Sequence, residues 1–355
     1  MSEILNILGL MSGTSLDGID MAQCQFQYSE KQWKYQIIHT ETVPYSSYWE
    51  DILKNAHKLK GFDLLLLDIK YGEYLGSVIN KFLKKHKSTI DFIASHGHTI
   101  FHIPEQRFTY QLGNGQAMAT KTGIPVIHNF RLKDVLNGGQ GAPLVPVGDQ
   151  YLFDEYQFCI NLGGFANVSM LDKGIRIAYD ICPVNFALNL VSAEKKQKFD
   201  YKGKLAQNGK IISELLNELN QLEYYSKKPP KSLGREWFEK YFTPIFVKYN
   251  TSTEDKLRTL SEHISYQISR SLNFYTSGNN KALLTGGGVY NDFLIQLIRE
   301  KSKAEINKPS DQLINFKEAL VFAFLGLLNY RGKINCYSSV TGAKKNLTTG
   351  NIAYP

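Results

Sequence analysis

Two short segments rich in glycine and hydroxylated residues are the first places where this sequence could perform chemistry. Residues 11–18 read MSGTSLDG, and residues 163–167 read GGFAN. Backbone amides reach an anion closely where side chains are absent, and Ser or Thr hydroxyls add donors, so each segment could bind phosphate. The alternative for each segment alone is an ordinary tight hairpin. No GxxxxGK[ST] loop occurs, and the glycines at 286–288 lack the third glycine of GxGxxG.

Metal-binding chemistry has fewer candidates. Asp17 closes the first glycine-rich segment and could hold Mg²⁺ directly or through water, because Mg²⁺ takes one or two carboxylates and keeps several waters; the alternative is a turn-forming aspartate. His96, His98 and His102 could form a metal cluster, although we do not expect one. The four cysteines are widely spaced and contain no CxxC pair, which is typical of reduced thiols.

The elements that must position these segments repeat in the two halves of the chain. Each glycine-rich segment lies between two short alternating runs, which predicts a β-hairpin, and each half later has a short apolar strand ending at a glycine. Amphipathic spacing predicts helices, and Ser252 with Asp255 forms a possible capping box. This pattern predicts an α/β fold with an internal duplication of topology. The predicted strands are 3–10, 19–28, 90–95, 157–162, 168–171 and 282–285, and the predicted helices are 62–86, 206–224 and 255–274.

Length and composition limit the class of protein. The 355 residues are 43% hydrophobic and 21% charged, which excludes disordered, collagen-like and disulfide-scaffold classes and favours two domains. The net charge of +8 is scattered, so we expect a solvated surface rather than a nucleic-acid footprint. Residues 1–20 lack a secretory pattern, and the apolar run 319–328 is shorter than the roughly 20 residues that span a bilayer. We therefore expect a cytoplasmic protein with no membrane partner.

The order of the hairpins and glycine turns resembles the superfamily of acetate kinase, sugar kinases, heat-shock chaperones and actin. More specifically, the chain resembles the anhydro-N-acetylmuramic acid kinases over essentially its whole length. The motifs that carry this resemblance are GLMSGTSLDGID at 9–20, SHGHTIFH at 95–102, QLG at 111–113, FRLKDVLNGGQGAPLVP at 130–146, NLGGFANVS at 161–169, KSLGRE at 231–236, GGGVYN at 286–291 and EALVFAF at 318–324.

The resemblance implies two ribonuclease-H-like domains, of the actin-like ATPase kind, flanking a cleft for ATP and substrate. We expect the first domain at 1–126, with 335–355 returning to it, and the second at 127–334. One hairpin from each domain would contact the phosphates, and the later glycine turn would contact the adenosine. The implied ATP-binding residues are Ser12, Gly13, Thr14, Ser15, Leu16, Asp17, Gly18, Ile19, Gly163, Gly164, Gly286, Gly287, Gly288 and Asn291.

The resemblance also implies a reaction. Family members use ATP and Mg²⁺ to open the intramolecular ether of 1,6-anhydro-N-acetylmuramic acid and to phosphorylate the sugar, giving N-acetylmuramate 6-phosphate in peptidoglycan recycling. Their general base is the Asp of an F-D-x-G-P-G-N motif, which falls on Asp180 here. A homodimer is also implied. The implied sugar-contacting residues are His96, Gly97, Arg131, Asp134 and Glu318.

Some of these assignments have alternatives. Arg131 could pair with a lactyl carboxylate, or with Asp134 in a surface salt bridge, and Glu318 could be a favourable first-turn carboxylate. Cys182 and Val184 replace both glycines of the base motif, and Val tolerates a positive φ poorly. A change in phosphate affinity or substrate range is therefore an alternative, but Asp180, Pro183 and Asn185 are retained, and we expect an active kinase. The alternatives to this kinase are a kinase for another sugar and an ATP-binding chaperone-like or regulatory module without catalysis.

Overall fold

The computed structural model describes residues 3–13, 16–275 and 280–355, and the chain divides into two compact units. Unit 1 comprises Met1–Leu152 and Phe316–Pro355, and unit 2 comprises Phe153–Asn315. Each unit has its own cluster of buried apolar side chains. The boundaries lie at 152 and 315 rather than at the expected 126 and 334. One reason is that Arg131 and the ring of Phe322 both contact His96, which keeps the segments after residues 126 and 315 with unit 1.

The strands of both units are numbered in chain order. They are β1 (Ile4–Ser12), β2 (Ile19–Ser29), β3 (Gln32–Val43), β4 (Phe92–Ile103), β5 (Phe108–Leu112), β6 (Val126–His128), β7 (Phe158–Leu162), β8 (Phe165–Asp172), β9 (Ile175–Pro183), β10 (Lys281–Thr285), β11 (Glu305–Asn307) and β12 (Asn351–Ala353).

The α-helices are numbered in the same way. They are α1 (Ser47–Asn55), α2 (Gly61–His86), α3 (Gly115–Thr122), α4 (Leu132–Leu136), α5 (Pro146–Leu152), α6 (Asn185–Ser192), α7 (Lys204–Asn208), α8 (Ser213–Asn220), α9 (Arg235–Trp237), α10 (Thr243–Val247), α11 (Thr253–Phe274), α12 (Asp292–Lys301), α13 (Asp311–Tyr330) and α14 (Ser338–Thr341).

The sheets of the two units share one topology in the part of the chain that the structure describes. The unit 1 sheet has the order β12-β6-β4-β1-β2-β3 with β5 beside β4, and the unit 2 sheet has the order β11-β10-β7-β8-β9. In each unit, the first three strands pair antiparallel, and two parallel strands follow on the other side of the first strand. This is the α/β, ribonuclease-H-like arrangement of actin-like ATPases, so the expected fold and its duplication are confirmed.

Two of the predicted long helices form and one is broken. α2 occupies 61–86, and its amphipathic face buries Tyr71 and Ile79, as the spacing predicts. α11 begins as expected, because the Ser252 hydroxyl accepts a hydrogen bond from the Asp255 amide at 3.1 Å. The predicted helix 206–224 is instead interrupted after α7. A Cβ at Gly209 would lie 2.0 Å from the carbonyl oxygen of Glu254, so the chain turns at this glycine before α8 begins.

The strand predicted to stop at residue 95 continues to Ile103 as β4. β4 has one residue more than β1 around Gly97, because Leu10 of β1 pairs with Ser95 whereas Ser12 pairs with His98. The φ of Gly97, 75°, lies in the left-handed region, and a Cβ there would lie 2.5 Å from the carbonyl oxygen of Leu112. A β-bulge of this kind redirects side chains and is frequent beside active sites.

α13 brings the EALVFAF motif against the unit 1 sheet. A Cβ at Gly9 would lie 1.9 Å from the carbonyl oxygen of Ala319, so α13 packs directly on the backbone of β1. By length and composition α13 is apolar enough to cross a membrane, but 67% of its most apolar window is buried within the protein. Core helices of globular proteins have the same property. The packing of α13 fixes the start of this motif, Glu318, relative to β1.

Candidate active site

The carboxyl ends of three parallel strands gather several predicted site residues in unit 1. β1, β4 and β6 run in the same direction, and ligands in α/β proteins bind at such strand ends. β1 ends at Ser12, β4 passes this edge at His96 and His98, and Arg131 follows β6 by three residues. The positions of Ser12, His96 and Arg131 therefore agree with the expectation of one ligand site on unit 1.

Arg131 and His96 form a direct pair. The Nε of Arg131 donates to Nε2 of His96 at 2.8 Å, while Nδ1 of His96 lies 2.8 Å from the Gly97 carbonyl oxygen. This arrangement assigns the proton of a neutral imidazole to Nδ1. Burial, followed by the charge of Arg131, lowers the pKa of His96 well below its ordinary value. Arg131 also donates from Nη1 to the carbonyl oxygen of Gly141 at 2.6 Å, so its guanidinium is oriented from both ends.

Carboxylates complete the charge distribution around Arg131. Burial lowers the pKa of Arg131 to about 10, while the Glu318 carboxylate opposes that shift, so Arg131 remains a cation at neutral pH. Desolvation raises the pKa of Glu318; the Arg131 guanidinium opposes this shift and the Asp20 carboxylate adds to it. Asp20 lies in β2 and accepts a hydrogen bond from the Thr42 hydroxyl at 2.5 Å. The sequence reasoning missed Asp20 as a site residue, although it ends the GLMSGTSLDGID motif.

The phosphate hairpin of unit 1 is described only in part. Thr14 and Ser15, both predicted to bind ATP, lie outside the described residues. The described remainder of the turn comprises Gly13 and residues 16–18, and Ile19 is buried at the start of β2. Leu16 has φ 60°, a left-handed conformation that is uncommon for a residue with a side chain. Asp17 is exposed at this turn, and its charge contributes to the raised pKa of Asp20, after burial and against the Thr42 hydrogen bond.

The hydroxyl of Ser12 is bound within the protein. Its Oγ lies 2.6 Å from the hydroxyl of Tyr45, 2.9 Å from Nδ1 of His98 and 3.2 Å from the hydroxyl of Tyr71, which itself lies 2.5 Å from Tyr45. Burial lowers the pKa of His98 to about 4, so this imidazole is neutral at physiological pH. The buried network anchors the last residue of β1, directly before the turn. Ser12 therefore holds the base of the hairpin, rather than presenting a hydroxyl that is available to a phosphate.

The three histidines of the SHGHTIFH motif do not form a metal cluster. Nε2 of His96 takes the Arg131 hydrogen bond, Nδ1 of His98 faces Ser12, and Nδ1 of His102 lies 3.0 Å from the Thr109 hydroxyl. Across the described residues, no group of three or more His, Cys, Asp or Glu side chains has the geometry to hold a metal ion. Each of these three imidazoles therefore binds a different neighbour in the protein.

Asp134 has surroundings that differ from those of a substrate contact. It is fully buried, and its Oδ2 accepts from the amide of Gly141 at 2.8 Å. Its Oδ1 accepts from the hydroxyl of Thr341 at 2.8 Å and from the thiol of Cys336 at 3.1 Å. A Cβ at Gly139 would lie 2.1 Å from Oδ2, which explains the glycine at this position of the GGQG block. Asp134 is buried and forms no surface salt bridge with Arg131; it ties the 138–141 loop to the C-terminal segment.

Unit 2 brings its phosphate hairpin and its glycine turn together at one sheet edge. β7 and β10 are parallel neighbours, so Gly163 and Gly286, which follow them, lie at the same edge. Gly286 has φ 84°, and a Cβ there would lie 2.4 Å from Oδ1 of Asn161. A Cβ at Gly288 would lie 2.8 Å from that of Leu162. The two predicted nucleotide segments of unit 2 are therefore in close contact, with Gly287 between the two packed glycines.

The turn between β7 and β8 is held by the last two residues of the base motif. The amide of Val184 donates to the carbonyl oxygen of Gly164 at 2.8 Å, and that of Asn185 donates to Gly163 at 3.2 Å. A Cβ at Gly164 would lie 2.5 Å from the ring of Phe186, so this glycine is required for close packing. Asn291, the remaining predicted nucleotide contact, caps α12 by accepting from the Leu294 amide at 3.0 Å through Oδ1.

Asp180, the predicted general base, lies half-buried near the carboxyl end of β9. Its Oδ2 accepts from the amide of Leu233 at 2.8 Å, and its own amide donates to the carbonyl oxygen of Lys231 at 3.2 Å. The Tyr224 hydroxyl donates to the Asp180 carbonyl oxygen at 2.6 Å. Burial raises the pKa of Asp180, and the Leu233 amide opposes this shift. The KSLGRE motif therefore supplies the backbone that orients this carboxylate.

The two departures from the base motif, Cys182 and Val184, do not adopt the left-handed backbone conformation. Val184 has φ −125°, and Cys182 is in β9, paired with Ala166, and is not among the described residues with positive φ. Neither position uses the left-handed conformation that the glycines of the motif would allow, so the expected backbone conflict does not occur. Both side chains are fully buried in the unit 2 core, and burial raises the pKa of the Cys182 thiol, which is therefore protonated at neutral pH.

Known proteins match this arrangement along the whole chain. The family model for anhydro-N-acetylmuramic acid kinase matches residues 5–355. The kinase of that name from Caldanaerobacter subterraneus subsp. tengcongensis is 34% identical, with 98% of this chain and 96% of its own covered. That from Francisella tularensis subsp. novicida is also 34% identical, with 100% of both chains covered. A solved structure of ligand-bound xylulose kinase from Lactobacillus acidophilus covers 99% of this chain and 94% of its own, with 11% identity and a TM-score of 0.45. The chain belongs to the anhydro-N-acetylmuramic acid kinase family.

Proposed function

We propose that this protein is an ATP-dependent kinase that hydrolytically opens 1,6-anhydro-N-acetylmuramic acid and phosphorylates it to N-acetylmuramate 6-phosphate in cell-wall recycling. The observation that carries the proposal is the Asp180 carboxyl group, oriented by the Leu233 amide and with its pKa raised by burial. A carboxylate whose pKa is raised toward neutrality is a stronger general base than an ordinary aspartate. Family membership over residues 5–355 identifies the reaction in which such a base is needed.

Asp180 supplies the proton acceptor of the first step. Its carboxylate removes a proton from the water that attacks the anomeric carbon, and the bond from that carbon to the 6-oxygen breaks. The released 6-oxygen then attacks the γ-phosphorus of ATP and displaces ADP. The hydrogen bond from the Leu233 amide occupies Oδ2, which leaves Oδ1 as the oxygen that faces the water. The two steps together consume one water and transfer one phosphoryl group.

Arg131, His96 and Glu318 provide a binding site for the sugar. The substrate carries a lactyl carboxylate, and the Arg131 guanidinium is a cation that His96 and Gly141 hold in a fixed orientation. A guanidinium forms strong charge-assisted bonds with carboxylates. His96 is neutral, so the positive charge that attracts the substrate carboxylate is that of Arg131. Glu318 is exposed on α13 and can accept hydrogen bonds from sugar hydroxyls. Gly97 contributes by keeping the bulge that sets the direction of His96.

ATP and Mg²⁺ fit the residues at the two glycine-rich turns. Gly163, Gly164 and Gly286–Gly288 have no side chains, so a triphosphate could approach the backbone of these turns closely. Asp17 and Asp20 influence each other electrostatically, and two carboxylates are an oxygen donor set that Mg²⁺ accepts. Bound Mg²⁺ would neutralise part of the triphosphate charge. We assign Asp17, exposed at the turn, as the carboxylate that would hold it.

The proposal also covers the cellular location, the oligomeric state and the binding partners of the enzyme. We propose a cytoplasmic homodimer whose partner is the amino sugar, with no nucleic-acid or membrane partner. The scattered distribution of the +8 charge supports the absence of a nucleic-acid surface. The burial of most of α13 supports the absence of a membrane span.

A product assay tests the function directly. Purified protein with ATP, Mg²⁺ and the anhydro sugar should yield a ring-opened phosphorylated sugar, detected by mass spectrometry. Asp180→Asn should lower kcat about 10²- to 10⁴-fold, the usual contribution of a general base, while nucleotide binding is retained. Asp172→Asn, at the far end of the adjacent strand β8, is the matched control and should retain activity. Undiminished turnover in Asp180→Asn would contradict the base assignment.

A panel of sugars tests the substrate. Phosphorylation of an ordinary amino sugar, in preference to the anhydro sugar, would establish a kinase for another substrate. ADP release that does not depend on any sugar would favour an ATP-binding regulatory module. We expect neither, because Asp180 is retained and the Cys182 and Val184 side chains pack in the unit 2 core.

A further inference from the structure

Asp180 lies at an irregular point of an edge strand. Across the described residues, β9 is the outermost strand of the unit 2 sheet, so its backbone pairs with a strand only on the β8 side. The register of this pairing shifts by one residue at Asp180, because Asn167 pairs with Asp180 whereas Ala166 pairs with Cys182. A β-bulge of this kind disrupts the ladder locally and redirects side chains. The sheet alone therefore does not fix the direction of the Asp180 carboxylate.

Both backbone groups of Asp180 bond to residues outside the sheet. Its amide donates to the carbonyl oxygen of Lys231 at 3.2 Å, and its carbonyl oxygen accepts from the Tyr224 hydroxyl at 2.6 Å. The Leu233 amide donates to Oδ2 at 2.8 Å. All three partners lie in the connection between α8 and α9. The direction of the carboxylate therefore depends on how this connection is held.

The Lys231 side chain closes the connection on itself. Its Nζ donates to the carbonyl oxygen of Tyr224 at 3.2 Å and lies 4.6 Å from the centre of the Tyr224 ring, where the ring attracts a cation. Tyr224 is buried, and its ring centre lies 5.3 Å from that of Trp237 in α9. Asp180, Tyr224 and Lys231 thus form a closed cycle of contacts, which we call the base clamp. Displacing any one of the three breaks its contacts with both others.

We propose that Tyr224 and Lys231 are positioning residues for the Asp180 carboxylate, because together they hold the Leu233 amide against Oδ2 and so keep Oδ1 directed at the attacking water. This inference rests on the proposed role of Asp180 as general base and adds two side chains that act through it. Misplacing a reacting group by about 1 Å can lower a rate about 100-fold. The base clamp therefore affects the chemical step without requiring a contact with either substrate.

Steady-state kinetics test this role. Tyr224→Phe keeps the ring beside Lys231 but removes the hydroxyl that binds Asp180, and Lys231→Met removes the cation. Each change should lower kcat about 10- to 100-fold and change KM for ATP and for the sugar less than about twofold, because orientation rather than binding is lost. Lys231→Arg restores a cation beside the ring and should recover most of kcat. A wild-type kcat in either of the first two variants, or a loss carried by KM, would overturn the proposal.

Tyr225→Phe and Lys240→Met are the matched controls. The buried Tyr225 hydroxyl lies 3.0 Å from Nε2 of His263, and the Lys240 ammonium lies 5.1 Å from the centre of the Tyr241 ring. Each control loses the same kind of contact, but with a partner outside the base clamp. Both should therefore keep kcat even where Tm falls. Equal losses of kcat in the controls and in the clamp variants would show that reduced stability lowers turnover, and would overturn the proposal.

Hydrogen–deuterium exchange tests the base clamp without the reaction. The amides of Asp180 and Leu233 both donate hydrogen bonds at the clamp. Their exchange, measured by mass spectrometry, should be several-fold faster in Tyr224→Phe and Lys231→Met than in the wild type, and unchanged in Tyr225→Phe. A wild type that forms no ring-opened product would reject the proposed reaction, while faster exchange in the variants would still support the clamp. Exchange at the wild-type rate in both variants would overturn the clamp, whatever the reaction.

Discussion

Asp180 is held in an environment that favours its neutral form, although the proposed reaction needs its charged form. Burial disfavours the carboxylate, and only the Leu233 amide compensates in part. The identity of this base came from the motif resemblance, because nothing in the spacing of a single aspartate distinguishes it from others. Asp20 escaped prediction for a related reason, since its relation to Glu318 depends on how α13 packs on β1. Asp134 was predicted as a cleft residue, and its burial depends on contacts about 200 residues away, at Thr341.

The stability of an Asp180→Asn variant should depend on pH. The pKa of Asp180 is raised in the folded state, so ionisation destabilises the fold; this cost is fully present above the folded pKa and is absent below the unfolded value of about 3.9. We therefore expect the variant to have a higher Tm than the wild type at pH 7 to 8, and the difference to shrink as the pH falls toward about 4. Thermal unfolding across this pH range measures it. A pH-independent difference would contradict the assigned environment.

Substitution of His98 should change nucleotide binding through Ser12. His98→Ala removes one of the three partners of the buried Ser12 hydroxyl at the base of the hairpin, and the loss of one hydrogen bond costs about 0.5–1.5 kcal/mol. We expect KM for ATP to rise about fivefold or more while kcat changes less. His98→Gln, which keeps a hydrogen-bonding side chain at this position, should restore the hydrogen bond and the KM. If the alanine and glutamine variants share one KM, the network does not position the hairpin.

Helices and strands with strong local patterns were predictable, and those set by distant contacts were not. The repeat of apolar residues along α2 and the Ser252 cap of α11 are local signals, and both elements form as predicted. β4 extends beyond its predicted end because β1 and β5 supply pairing partners on both sides of the bulge at Gly97. The interruption after α7 depends on the approach of Glu254 to Gly209, which no local pattern reveals.

The contact between β1 and α13 predicts a large effect of one methyl group. Gly9→Ala places a Cβ against the Ala319 carbonyl oxygen, so either the helix or the strand must move, and overpacking of this kind costs typically about 1–3 kcal/mol. We expect a lower free energy of unfolding and reduced kcat/KM, because Glu318 moves with α13. Gly61→Ala is the control, since a Cβ there meets no atom within 4 Å at the start of α2. Equal stability of the two variants in urea titrations would contradict the described packing.

At the scale of the whole molecule, the net charge of +8 acquires a role in binding. Both proposed substrates are anions, and a positive field accelerates the encounter with an anion in a salt-dependent way. The individual contacts of Arg131 explain specificity, whereas the summed charge affects every anion alike. Composition alone gave the sign of this field, but it carried no information on the chemistry of the ligands.

Increasing salt should lower kcat/KM for the carboxylated sugar. The Debye length falls from about 10 Å at 0.1 M to about 3 Å at 1 M, so the long-range attraction is largely lost. We expect a several-fold decrease over this range. The same anhydro sugar without its lactyl group, assayed at saturating ATP, is the control and should show a shallower decrease. Parallel salt dependence for the two sugars would show that the field does not act on the lactyl carboxylate.

The order of the chain through the two units has a consequence for biosynthesis. Unit 2 is continuous, whereas unit 1 begins at the N-terminus and is completed only by residues 316–355, which supply most of α13 and the edge strand β12. On the ribosome, all strands of the unit 2 sheet emerge before unit 1 receives its last helix and strand. Residues 1–152 therefore cannot complete the fold of unit 1 at this stage, and the β1 surface around Gly9 stays uncovered. Unit 2 can already fold. Chaperone binding during translation should accordingly concentrate on residues 1–152 and end once β12 has paired with β6.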